Sequence, residues 1–325
     1  MPLRTLSLSV PGDPELGKLA GLPGIWSNAD PRFANHGWNI IALPFGPGGQ
    51  LGDFRLLLNQ YNEELIFSLV DKNVPNRGQG FPGADQHLHA LQYVQAITQF
   101  VATDAASQPD GAVVTPVTPA DDDTPKGANF GIHREPGLLL QLVSQVEHGL
   151  DLARLATIPH GDAVLALGHQ VGVTAGPPDF NDPKLDALFA SLPTGAGTPS
   201  PANVYTAPWF HFTGANKFQG LLDPTDPKAL FTAPIPGATV KSTQTLVFST
   251  EFPTAGIHNI PFVHRNANAV SLHFALWLLT LDDGTQVLKY FQNVSLKFLP
   301  RADHTAGLIA WPHISFNTLT LQPGS

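Results

Sequence analysis

The sequence predicts an all-β fold, an antiparallel barrel or sandwich. Three observations carry that prediction. Apolar runs of strand length recur along the chain, turn residues separate nearly all of them, and helical periodicity is scarce. The 31 prolines and 30 glycines of the 325 residues sit mostly between apolar runs and punctuate short elements.

In chain order the first strands are HGWNIIALPF (36–45), DFRLLLNQ (53–60), YNEELIFSLV (61–70) and HLHALQYVQAITQF (87–100). GLLLQLV (137–143), LDLARLATI (150–158) and DAVLALGHQ (162–170) follow, with HGD (160–162) after Pro159 as a turn. A second set comprises TVKSTQTLVFS (239–249), NAVSLHFALWLLTL (268–281), QVLKYFQNVSLKF (286–298) and the closing AWPHISFNTLTLQPGS (310–325). DDGT (282–285) is a hairpin turn between two of them. The best helix is NDPKLDALFASL (181–192): Asp182 can cap it, Pro183 suits its first position, and Leu185, Leu188, Phe189 and Leu192 share a face. Residues 103–128, rich in Pro, Asp and Thr, read as a long loop, and 193–203 as a linker. Gly46-Pro47-Gly48-Gly49 is only a turn, because proline removes an amide and no helix follows.

Period two sets the facing. In 286–298 the even positions are Leu288, Tyr290, Gln292, Val294, Leu296 and Phe298, so that face points inward, while Lys289, Asn293, Ser295 and Lys297 point outward. LQYVQAITQF (91–100) resembles LKYFQNVSLKF (288–298), with Leu91, Tyr93 and Gln95 matching Leu288, Tyr290 and Gln292. That pattern suits either a duplication or strands of similar composition. A buried Tyr and Gln on each strand imply a polar-decorated interior, since buried polar groups need partners.

Composition narrows the function. The chain is 42% hydrophobic and 13% charged, so much of it is core or apolar-lined pocket. The net charge of −9, with no Lys/Arg cluster, argues against nucleic acid and against an anionic membrane surface. Absence of cysteine excludes disulfides, thiolate metal sites and Cys nucleophiles. The start, MPLRTLSLSVPGDPELGK, is unlike a signal peptide, and no stretch reaches membrane-span length, so a cytoplasmic protein is expected. No nucleophile elbow, phosphate loop, dinucleotide fingerprint or H-E-x-x-H is present.

Thirteen histidines leave His, Asp and Glu as ligands and bases. His87 and His89 form an H-x-H whose rings share one strand face, which suits two ligands of one zinc or iron, with His133 or Glu135 as a third. The pattern equally suits two strand-end residues. IHREPG (132–137) offers a ligand, an anion clamp and a base, or else a charged turn. His160 sits at a strand corner, as a rim residue or a turn residue. His313, at the entrance of the last strand, is either hydrogen-bonded structure or a pocket ligand.

These residues, in this order, resemble the nitrobindin-like haem-binding β-barrels, relatives of the fatty-acid-binding proteins and other calycins. The matching segments are GIW (24–26), YNEELIF (61–67), HREPGLL (133–139), LARLATIPHGDAVLALG (152–168) and PHISFNTL (312–319). The resemblance implies an enlarged calycin-like barrel with few short helices. It carries His313 over as the ligand of haem b iron, whose open face would take nitric oxide or a peroxide-like oxidant, with isomerase or peroxidase-like activity as the associated chemistry. His87, His89, His133, Glu135, Tyr93, Gln95, Tyr290 and Gln292 become pocket candidates. Two departures stand out. SNADPRFANHG (27–37) replaces a glycine-rich continuation, and about 172–285 is in excess, an insertion into a single barrel. Two rival readings use the same residues: a carrier of fatty acid or another apolar molecule, and a non-haem metalloenzyme built on His87, His89 and a carboxylate.

Overall fold

The computed structural model describes residues 13–28, 36–44, 54–80, 83–106 and 130–324. The strands are β1 (Gly24–Ser27), β2 (Gly37–Pro44), β3 (Phe54–Asn76), β4 (Gln86–Ala106), β5 (Phe130–Leu142) and β6 (Leu152–Ile158). They continue as β7 (Asp162–Ala175), β8 (Val240–Ser249), β9 (Gly256–Asn259), β10 (Asn268–Leu281), β11 (Gln286–Pro300) and β12 (Leu308–Leu321). Ten of them run β12-β11-β10-β8-β7-β6-β5-β4-β3-β2, and β12 pairs back onto β2 through Ile314↔Ile40, Ser315↔Asn39 and Phe316↔Trp38. The result is a closed, ten-stranded antiparallel barrel. Closure leaves the ring without an open edge. The short β1 bridges β12 and β3, and β9 lies against β7.

The expected strand positions are largely present, with informative differences. The runs 53–60 and 61–70 are one strand, β3, with a register shift at Gln60/Tyr61 instead of a turn. Such an irregularity bends a long strand without ending it. IHREPG is not a charged turn: it lies inside β5, paired to β4 by Ile97↔His133 and Gln95↔Glu135. Of the loop expected at 103–128, residues 103–106 complete β4, and 107–128 lie outside the described residues, as does the turn at 46–49. The two similar segments, 91–100 and 288–298, belong to β4 and β11 of the same barrel.

The segment expected as an insertion, about 172–285, divides in two. Residues 240–281 supply β8 and β10, which are staves of the ring itself. Residues 176–239 leave the sheet and carry α1 (Asp186–Phe189), α2 (Ala207–His211) and α3 (Pro227–Phe231). They lay aromatic rings over the outer face: Phe189 and Phe231 pack on Trp277 and Phe291, and Phe231 reaches Phe316. Lys289 and Asn293 therefore point outward, as their period requires, yet are buried. The helix expected over 181–192 is shorter than its pattern. Asp182 caps the N–H of Lys184 at 3.0 Å, but only a 3-10 turn and the single-turn α1 follow. The Asn293 amide donates to the carbonyls of Ala187, Leu188 and Ala190, at 3.3, 3.2 and 2.8 Å, which satisfies that helix end without further turns.

One end of the barrel interior is plugged. A 3-10 helix over Pro14–Leu19 brings Leu16 and Leu19, with Leu22, onto Trp26, whose indole N–H donates to the Leu22 carbonyl at 2.8 Å. Leu65, Leu91, Leu139, Leu246, Leu276 and Leu288 extend this apolar packing up the interior.

Candidate functional site

A belt of buried polar side chains crosses the barrel above the apolar packing. Arg154, on β6, faces inward between Leu152 and Ala156. Its Nη2 donates to Glu135 Oε1 at 2.7 Å, its Nη1 to Gln292 Oε1 at 2.6 Å, and its Nε to the Tyr93 hydroxyl at 3.0 Å. Tyr93 also donates to Glu135. The guanidinium lies 4.3 Å over the Phe274 ring. Burial would raise the Glu135 carboxyl. The Arg154 charge, with bonds from His133 and Tyr93, outweighs it and holds the group down to about 2. Burial pushes the Tyr93 phenol up.

Two glycines make room for the belt. Gly137 is the cross-strand partner of Tyr93, and a Cβ there would fall 2.4 Å from the tyrosine ring and 2.4 Å from the Leu155 carbonyl oxygen. Gly37 accepts the ring of Tyr61 in the same way. The Tyr61 hydroxyl meets that of Tyr290 at 2.8 Å, and Tyr290 donates to Glu63 at 2.6 Å. Gln95 and Asn317 donate to the same carboxyl at 2.6 and 2.7 Å. Burial raises Glu63, and these three donors only partly offset it.

Above the belt the interior opens into a cavity of about 420 Å³. His133 and Glu135 of β5, His160 and Asp162 of the β6–β7 corner, Gln292 of β11 and His313 of β12 supply its polar groups. Ile41–Pro44 at the end of β2, and Phe262, Val263 and Asn266 of α4 (Pro261–Asn266), line it too. Val294, Leu296, Leu272 and Ile158 make its walls apolar. A smaller void of about 20 Å³, room for about one water, lies on the other side of the belt against Leu65 and Leu276.

His313 is placed by the β11–β12 and β12–β2 pairings, opposite Val294 and one residue before Ile314↔Ile40. The Asn39 amide nitrogen lies 2.8 Å from its Nε2 and 2.8 Å from Ser315 Oγ. An amide nitrogen only donates, so Nε2 accepts and the ring's proton is on Nδ1. Burial drives the His313 imidazole down to about 3, helped by His160 and His133. It is neutral at ordinary pH. The His133 and His160 rings lie 5.7 Å apart, and burial also lowers His160. Asp162 is raised by burial, and its Oδ1 is enclosed without a donor.

Of the residues singled out from sequence, His313, His133, Glu135 and Gln292 line one cavity, and Tyr93, Gln95 and Tyr290 form the belt beneath it. His87 and His89 do not join them. His89 lies at the plugged end, under the influence of Asp13, Glu15 and Lys72, with burial lowering its pKa. Ile97, the partner of His133, lies eight steps along β4 from His89. That is roughly 26 Å of strand. The expected set of His87, His89 and His133 or Glu135 is therefore not assembled. Among the described residues, no three His, Asp or Glu side chains stand close enough to hold a metal ion. Sequence reasoning missed Arg154, Asn39 and Asp162. Arg154 carried a readable signal, a charge at an inward position of an apolar strand. Asp162 carried none, because an aspartate beside a turn is ordinary.

No family model matches the chain, and no curated protein matches it. Among solved structures it is similar to the crystal structure of Rv2717c from M. tuberculosis, at 14% identity and a TM-score of 0.41, covering 97% of this chain and 99% of that one. A likeness at that level carries no functional weight. No helix among the described residues is long and apolar enough to cross a membrane.

Proposed function

We propose that this protein binds an apolar small molecule in the cavity beside His313, and that haem b, ligated through His313, is that molecule. One observation supports it above the others: a neutral imidazole stands in the wall of an apolar cavity of about 420 Å³. That volume falls among small-molecule sites, and an imidazole must be neutral to ligate iron.

The residues present suit a porphyrin in the apolarity of the walls and the state of the imidazole. One adjustment is needed. Ligation through Nε2 requires the Asn39 amide to give up its bond to the ring, and its nitrogen keeps Ser315 Oγ at 2.8 Å. Bound haem would supply an iron able to take nitric oxide or a peroxide-like oxidant. His133 and His160 are the other imidazoles in that cavity.

The test is an absorption spectrum before and after one equivalent of hemin, with His313→Ala alongside. A sharp Soret band that the variant lacks is the expected result. The broad spectrum of free hemin from both proteins would end the haem reading. A metal-free apolar carrier is the second reading, favoured by the Asn39 bond, which already gives His313 Nε2 a partner without iron. It expects an organic molecule in a solvent extract of the purified protein and no Soret band.

A further inference from the structure

A ligand with an acidic end needs a cation in this cavity. Among the described residues, no Lys or Arg lines it. Arg154, in the belt beneath, is already engaged. Each of its three nitrogens already donates, to Tyr93, Gln292 and Glu135, and its charge is balanced by Glu135 at 2.7 Å. Burial holds His313 and His160 toward the neutral form, and His133 Nε2 already faces the Glu135 carboxyl at 3.3 Å.

Asp162 has the opposite problem. Its backbone is fixed by pairing with Ile158 on one side and Asn259 on the other. Its carboxylate lines the cavity, and Oδ1 is enclosed with no hydrogen-bond donor. An ionised carboxylate in the cavity wall only accepts hydrogen bonds, so it favours a ligand that brings a donor and repels one that brings a second carboxylate.

We infer that the cavity selects an apolar molecule ending in a hydrogen-bond donor, an amine or a hydroxyl, over one ending in a carboxylate, with Asp162 as the selecting residue. The inference rests on the reading of this cavity as the ligand site. It does not touch molecules whose acid groups stay in solvent outside the mouth.

The experiment loads the full-length protein with the neutral dye Nile red at pH 7.5 and displaces it with decylamine, 1-decanol or decanoate. The amine and the alcohol are expected to half-displace the dye at concentrations at least tenfold below that of the acid. In Asp162→Asn the amine should lose at least fivefold and the acid should gain. Asp162→Ser, with a circular dichroism spectrum of each variant, guards against misfolding. Decanoate matching decylamine on the native protein, or an unchanged order in both variants, would overturn the inference. Failure of Nile red to bind at all would overturn the cavity reading and the selection together. A hemin titration of Asp162→Asn separates the two: a retained Soret band with unchanged alkyl order removes the selection and leaves haem standing.

Discussion

Replacing Arg154 with methionine removes the charge that balances Glu135 while keeping much of the side-chain volume. Glu135 is 1% exposed, so it cannot regain water in place. Its remaining partners are the Tyr93 hydroxyl and His133 Nε2 at 3.3 Å. Two routes are open to it: to stay charged in a low-dielectric interior, or to take a proton. Protonation sets the ceiling on the charge penalty. Against an ordinary value of 4.5, holding the carboxyl neutral at pH 7 costs about 3 kcal/mol. The lost bonds to Tyr93 and Gln292 add to that, giving a total of about 3–5 kcal/mol, the range for breaking a buried pair. The sign with pH follows. In Arg154→Met the Glu135 pKa is raised above its unfolded value, so the deficit present at pH 7 shrinks as pH falls toward 4.5, where the unfolded carboxyl also takes a proton. Adding Glu135→Gln should recover about 3 kcal/mol at pH 7 and almost nothing near pH 4.5. Urea unfolding followed by fluorescence of the five tryptophans reads this directly. A loss below about 1 kcal/mol in the single variant, the size of an ordinary hydrogen bond, or no recovery in the double, would show that the pair is not coupled as described.

Three further outcomes are expected. His313, held down to about 3 against an ordinary 6.5, should not titrate between pH 8 and 5 in nitrogen-15 spectra and should carry its proton on Nδ1; stability should fall as pH drops below 6.5, by up to ~1.4 kcal/mol per unit, because only the unfolded ring takes the proton. Protonation near pH 6.5 would refute this. Gly137→Ala should cost about 1–3 kcal/mol in chemical denaturation by driving Tyr93 off Glu135, and a neutral substitution would mean that the ring does not lie across the glycine. Lys289 is lowered to about 8 by burial beneath Phe231, so folding penalises its charged form at pH 7; Lys289→Met should match or exceed the native melting temperature, whereas a clear drop would show that the lysine's contacts to Phe231 outweigh its desolvation.

Much of the barrel was legible because period two survives in the sequence. The inward set of β11, Leu288, Tyr290, Gln292 and Val294, is the set that alternation predicts; Gln95 of β4 donates to Tyr290, and Arg154 links Tyr93 to Gln292. Alternation reports the face of a residue and not its height along the strand. His89 and Tyr93 share a period, yet His89 sits against the plug and Tyr93 under the cavity. The metal set built on His87 and His89 failed for that reason. Alternation also cannot tell solvent from a covering layer, so Lys289 and Asn293 read as exposed when the 176–239 segment buries them. The glycine of HREPG marked a resemblance in the sequence. Its physical role, room for the Tyr93 ring, requires knowing that Gly137 and Tyr93 are cross-strand partners.

The same covering layer helps explain how a barrel this apolar can keep an open cavity. An interior packed like other protein cores would have little free volume. Here the apolar stabilisation is supplied in two other places: by Leu16, Leu19 and Trp26 at the plugged end, and by Trp277, Phe291, Phe316 and Phe231 on the outer face. The polar belt separates the plugged half from the cavity. Arg154 joins β4, β5, β6 and β11 through Tyr93, Glu135 and Gln292, and Glu63 joins β3, β4, β11 and β12 through Gln95, Tyr290 and Asn317. Side chains tied across the barrel at that height cannot collapse upward without breaking buried hydrogen bonds, each of which costs more to leave unmade than it contributes when made. The volume beside His313 is thus held open by the groups beneath it, and a ligand there meets a prepared wall instead of having to create one.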